Sequence, residues 1–166
     1  MGRLIVLAGS GMMLCTSHSL RTGGHAASVE AALGDRLCLV FERVQPHVQD
    51  SQVDEALALA LERRVDAIVG LGGGSPIGLA KAVAWKIEEK QAGHPILFTY
   101  PTDQPLIPVV AIPTMYAGSE MTPLFGVTHN EPADLSGSTF GCGNTDCRRI
   151  WGAPYLWMSW ALTGRV

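Results

Sequence analysis

Four short apolar runs, separated by segments with helical spacing, set the pattern of this chain. Met12 to Thr16, Leu37 to Phe41, Ala67 to Leu71 and Pro108 to Ile112 are near-continuously apolar, as strands buried on both faces are. The first ends in a polar turn, Ser17-His18-Ser19. Thr22 to Leu33 then carries Val29, Ala32 and Leu33 and reads as a helix stopped at Gly34. Ser51 opens a second helix with acidic residues in its first turn and Arg63-Arg64 in its last, where the helix dipole favours each. Its Val53, Ala56, Leu57, Ala60 and Leu61 form an i, i+3, i+4 stripe. After the third strand come Gly72, Gly73 and Gly74, then Ser75 as N-cap and Pro76 in the first turn of a helix to about Lys90. Ile77, Ala80, Ala84 and Ile87 follow at helical spacing. Gly93 to Pro108 is a polar, proline-containing loop with one short apolar piece, Ile96-Leu97-Phe98. The order βαβαβαβ predicts an α/β fold: a Rossmann-like, doubly wound parallel sheet covered on both faces.

In such sheets ligands sit beyond the carboxyl ends of the strands. Two loops leave that edge directly, residues 72–75 and 113–120. A helix N-terminus approached through residues without Cβ atoms is a ready anion site, so the glycine turn is expected to hold a phosphate or pyrophosphate. A ligand-free connector is the alternative, and two such loops on one edge weigh against it. The turn does not fit the common dinucleotide fingerprint. Gly70-x-Gly72-x-x-Ser75 puts serine at the third position and follows the third strand. Nor does it carry the Lys-Ser/Thr pair of a P-loop.

Taken together the two loops are specific. Gly72-Gly73-Gly74-Ser75-x-x-Gly78-Leu79-Ala80-Lys81-Ala82 and Ile112-Pro113-Thr114-Met115-Tyr116-Ala117-Gly118-Ser119-Glu120-Met121-Thr122-Pro123 closely resemble the iron-containing alcohol dehydrogenase superfamily, and within it the maleylacetate reductases. The broad family usually has an aspartate at the position of Gly78 and a second loop one residue longer. The resemblance spans about residues 12 to 130. It implies the N-terminal, NAD(P)-binding domain of a two-domain dehydroquinate synthase-like fold. Its implied activity is NAD(P)H-dependent reduction of maleylacetate to 3-oxoadipate, in aromatic compound catabolism. A metal-dependent alcohol dehydrogenase of the same superfamily is the runner-up. Carried over by position, Gly72, Gly73, Gly74 and Ser75 would contact the cofactor pyrophosphate. Thr114, Tyr116 and Ser119 would line the other side of the cofactor. Ser17 stands where NAD-preferring relatives often carry an aspartate, so a 2′-phosphate would not be repelled and NADPH would be accepted beside NADH. Met115 replaces the second threonine of its loop. Relatives of this kind are often homodimers.

After Gly126-Val127-Thr128 the likeness stops. The expected division is therefore an NAD(P)-binding domain over 1–130 and an atypical tail over 131–166, read as a frameshifted or disordered end. In the family a helical C-terminal domain carries the catalytic residues and any metal ligands, so no catalytic or metal-binding residue is expected here. A non-catalytic, truncated nucleotide-binding module is the corresponding alternative. In the tail, Cys142 and Cys147 have an allowed zinc spacing but no second ligand pair. Tyr155 to Leu162 is apolar but too short to span a bilayer. Lys81 reads as a solvated lysine on the exposed side of its helix or as a phosphate contact. Glu120 has the chemistry of a catalytic group but is sufficiently explained by a helix start. The five histidines lack metal-binding spacing.

Composition narrows the classes further. The 166 residues, 47% hydrophobic and 16% charged, suit a globular domain with a proper core. A net charge of −3 offers no basic field for nucleic acid or an anionic membrane. Leu4 to Gly11, after Arg3, superficially suits a signal peptide, but Met13-Leu14-Cys15-Thr16 continues into a strand the fold needs. Four scattered cysteines do not make a disulfide scaffold. A small-molecule partner and a cytoplasmic location are expected.

Overall fold

Alternation within each strand sorts the core into two. Successive strand side chains point to opposite faces. On one face Met12 and Leu14 of β1 (Met12–Cys15) cluster with Ala67, Val69 and Leu71 of β3 (Ala67–Gly72) and Val110 of β4 (Val109–Pro113). Ala26 and Leu33 cover them, the latter from α2 (Ala27–Leu33). On the other face Met13, Cys15, Ile68 and Val109 lie under α3 (Asp50–Glu62) and α4 (Gly74–Ala92). This computed structural model describes residues 10–94, 106–116, 118–122, 124–128 and 145–149.

The sheet runs β2–β1–β3–β4 and every pairing is parallel, with β2 at Leu37–Phe41. The chain goes outward from β1 to β2 over one face, then crosses back to β3 and on to β4 over the other. The direction of winding therefore reverses between β1 and β3. That is the topological switch point of a doubly wound sheet, where a crevice opens beyond the carboxyl ends. The expected fold class holds.

Boundaries differ where local chemistry overrides the periodicity. The helix read over Thr22 to Leu33 is two helices, α1 (His18–Thr22) and α2, broken at Gly23 and Gly24, the latter at φ 78°. Ser17-His18-Ser19 is thus the entry to a helix rather than a free turn. The helix assigned to start at Ser51 starts one residue earlier, and the Asp50 carboxylate accepts a hydrogen bond from the Ser51 amide at 2.7 Å. The stripe on α4 is real but not one-sided. Every residue from Pro76 to Trp85 is buried, because the sheet, α3 and the segment around Phe125 enclose that helix.

A second sheet pairs β5 (Leu124–Thr128) antiparallel with β6 (Thr145–Arg149). Thr128 donates its amide to the Val48 carbonyl at 2.7 Å, joining β5 to the segment before α3. The rest of 131–166, including Cys142 and Tyr155 to Leu162, lies outside the described residues, as do 1–9 and Ile96-Leu97-Phe98.

Candidate functional site

The two loops meet because β3 and β4 are neighbours in register, with Gly72 opposite Pro113. One residue on, the Thr114 amide donates to the Gly72 carbonyl at 3.0 Å, so the ladder continues into the second loop. Bare backbone is required at the turn itself. Gly72 sits at φ 141°, and a Cβ there would lie 2.8 Å from Pro76 Cγ and 3.2 Å from Leu20 Cδ1. A Cβ on Gly70 would come within 2.9 Å of Ile77 Cα, so strand and helix touch backbone to backbone. A Cβ on Gly73 would meet Met115 Sδ at 2.7 Å. The thioether that replaces a threonine thus lies over the glycine turn.

The turn opens a 19-residue helix. The first amides of any α-helix lack intrahelical acceptors and carry the positive end of its dipole. Ser75 does not cap them, contrary to expectation. The helix starts at Gly74 with Gly73 as N-cap, and no side chain caps it. Ser75 Oγ instead accepts from the His47 amide at 3.2 Å, anchoring the 42–49 segment to the turn. Pro76 falls within the first turn, where its missing N–H is harmless.

On the neighbouring strand, Thr16 and Ser17 follow β1 at the switch point. Thr16 is fully buried, and its Oγ1 has no hydrogen-bond partner. Ser17 is half-buried, shares a hydrogen bond with the Ser19 hydroxyl at 3.1 Å, and bridges to Arg43 through the backbone. Beside it Arg21 binds Glu42 at 2.7 Å and Glu30 at 3.2 Å. On the far side of the turn Thr114 and Tyr116 are exposed, Tyr116 completely, while Ser119 is half-buried. The structure thus groups Gly72, Gly73, Gly74, Ser75 and Thr114 tightly, and sets Ser17 on the adjacent strand and Ser119 at the loop's far end. A glycine cradle, uncapped amides and an orphaned buried hydroxyl at one switch point fit a dinucleotide diphosphate.

Two residues depart from the sequence reading. Lys81 is not on an exposed side of its helix; it is 1% exposed. Its ammonium donates to the carbonyl of Ser119 and, at 2.6 Å, to that of Thr122. Glu120 is also buried, its Oε2 without a partner, and it lies in a single 3₁₀ turn, Ser119–Met121. So short a turn has too little dipole to explain a carboxylate.

Burial pushes the Lys81 pKa down to about 8, against the opposing charge of Glu120. Above that pH the folded chain has released a proton that the unfolded chain keeps up to the ordinary 10.5. This site's contribution to stability therefore rises with pH through that window. The difference in unfolding midpoint between the native chain and Lys81→Met should climb between pH 8 and 10; a flat difference would contradict the burial.

The 42–49 segment was missed in the sequence. Val48 is buried, and a Cβ on Gly78 would lie 2.9 Å from its Cγ2. Glycine at a position where the broad family usually has aspartate was the signal of that approach. Among the described residues no group of three or more His, Cys, Asp or Glu could hold a metal. Cys15 is inert, its thiol pushed up to about 12 by burial.

Residues 1–139 match the family described as iron-containing alcohol dehydrogenase, beyond the 12–130 that the motifs reach. A maleylacetate reductase from Pseudomonas sp. (strain P51) is 41% identical over 106 residues, which is 64% of this chain and 25% of that protein. The chain thus spans about a quarter of the length of such relatives. The crystal structure of a maleylacetate reductase from Rhizobium sp. strain MTP-10005 superposes with a TM-score of 0.63 at 26% identity, over 91% of this chain and 34% of that one. An iron-containing alcohol dehydrogenase from Thermotoga maritima gives 0.69 at 26% identity, over 93% and 41%.

Proposed function

The chain belongs to the iron-containing alcohol dehydrogenase family, an oxidoreductase family, and from that premise we propose that it holds NADH or NADPH for a maleylacetate reductase reaction. The observation that carries this is the hydrogen bond from the Thr114 amide to Gly72, which brings both motif loops to one side of the switch point. Gly72, Gly73, Gly74 and Ser75 bind the diphosphate through backbone amides, and Thr114, Tyr116 and Ser119 flank the other side. Bound there, the cofactor would supply a hydride to one carbon of the maleylacetate carbon–carbon double bond, and a proton taken up at the other carbon would complete 3-oxoadipate, a step in the breakdown of aromatic compounds. The identity to a maleylacetate reductase supports that substrate class. Gly78 and the shorter second loop argue against the metal-dependent alcohol dehydrogenase alternative. Cytoplasmic location and homodimers belong to the same proposal, and no helix among the described residues is long and apolar enough to cross a membrane.

Hydride transfer needs the substrate held against the nicotinamide in a dry cleft. On this reading the glycine turn and the Thr114 loop supply one wall of such a cleft, and the other wall comes from elsewhere. Tested by itself, the 166-residue chain should bind cofactor yet leave NADH unconsumed when maleylacetate is added. Steady NADH consumption at 340 nm would show that these residues suffice for catalysis, and would overturn the one-wall reading. Ser17 sets the cofactor choice. Ser17→Asp places a carboxylate where a 2′-phosphate would lie and should weaken NADPH binding about tenfold, ~1.4 kcal/mol, with NADH little changed. Equal losses for both cofactors would place the 2′-position elsewhere.

A further inference from the structure

Lys81 has no role in the cofactor contacts above, yet it is the largest fully buried side chain in the described residues. It belongs to α4, the helix whose N-terminus forms the glycine turn. Its two carbonyl acceptors, Ser119 and Thr122, belong to the far end of the second loop. We propose that Lys81 is a positioning residue that ties the 114–122 loop to α4 and so fixes the width of the cofactor cleft, an inference that rests on the cofactor reading above.

Three observations carry this. The loop is held to the glycine turn at its start by the Thr114–Gly72 hydrogen bond, and at its end by Lys81. Between these points Met115 and Tyr116 are exposed and Gly118 takes φ 73°, so neither of these two side chains packs the loop against the sheet. An ammonium buried against two carbonyls must donate to them, because an unpaired buried charge is far costlier than a surface one. Glu120, in the same 3₁₀ turn, supplies the opposing charge nearby. A lysine here therefore acts as a strut of defined length. Methionine at the same position would fill the volume and leave both carbonyls without that donor.

The test compares the native 166-residue chain with Lys81→Met and Lys81→Arg. Amide exchange by mass spectrometry should show residues 114–122 losing protection at least tenfold in Lys81→Met, while β1, β3 and α4 keep theirs. Lys81→Arg, which retains donors and charge, should restore most of that protection. NADPH titration should give at least a tenfold weaker dissociation constant for Lys81→Met and a smaller change for Lys81→Arg. Unchanged 114–122 protection and affinity in a folded Lys81→Met would overturn the proposal. Should Lys81→Met fail to fold, reductive methylation of the native chain gives a second readout. Saturating NADPH should slow labelling of Lys81 at least fivefold relative to Lys86 and Lys90; equal slowing of all three would overturn it. Failure of the native chain to bind NADPH or NADH would instead defeat the cofactor reading, while the exchange data on the free chain would still decide the tie.

Discussion

Gly72→Ala should abolish detectable cofactor binding and cost about 3 kcal/mol or more of stability. The backbone at φ 141° lies where a residue with a Cβ is strained by about 1–3 kcal/mol. The added methyl also lands 2.8 Å from a ring carbon of Pro76, which is fixed in the first turn of α4 and cannot swing aside. Crowding of that kind costs about 1–3 kcal/mol more. Relief would come from moving the turn away from the helix N-terminus, which breaks the Thr114–Gly72 hydrogen bond and opens the cradle. Urea denaturation and NADPH titration of the same preparation measure both effects. Native stability with native affinity would show that the turn does not have this conformation.

The second large effect is expected at Gly78. Gly78→Asp would introduce the aspartate that the broader family carries, into a place already filled by Val48. Its Cβ would lie 2.9 Å from Val48 Cγ2, and its carboxylate would be enclosed between α4 and the 42–49 segment. A buried carboxylate without a partner costs several kcal/mol, so the expected loss is at least ~3 kcal/mol in denaturant unfolding. Gly78→Ala separates the causes. Alanine gains about 1 kcal/mol in helix propensity over glycine, which largely offsets the crowding. If Gly78→Asp were as stable as the native chain, Val48 would not pack where it does.

The elements that were legible in the sequence are those whose pattern answers to the backbone alone. β2 runs over Leu37–Phe41 as its apolar run indicates, and the buried stripe Val53, Ala56, Leu57 and Ala60 lies on α3 as its spacing indicates. The glycine turn was legible because three residues without side chains between an apolar run and a helical stripe mark a tight strand-to-helix turn. What was not legible depends on tertiary contact. Ser75 is a good cap by type, but the helix starts a residue earlier and the His47 amide claims its hydroxyl. Lys81 is a charged residue on a helix whose surroundings bury every side, and only the fold shows the two carbonyls that receive it. Glu120 looked like a helix-start carboxylate, because nothing in the sequence says that the turn after Gly118 lasts only three residues. The two loops were thus readable in the sequence, and the supports that hold them were not.

The central claim is that the glycine turn and the Thr114 loop form one wall of a dinucleotide cleft. Titration calorimetry of NADH and NADPH into the full 166-residue chain tests it most directly. Saturable heat at one site per chain is predicted for both cofactors; no heat with either would contradict it.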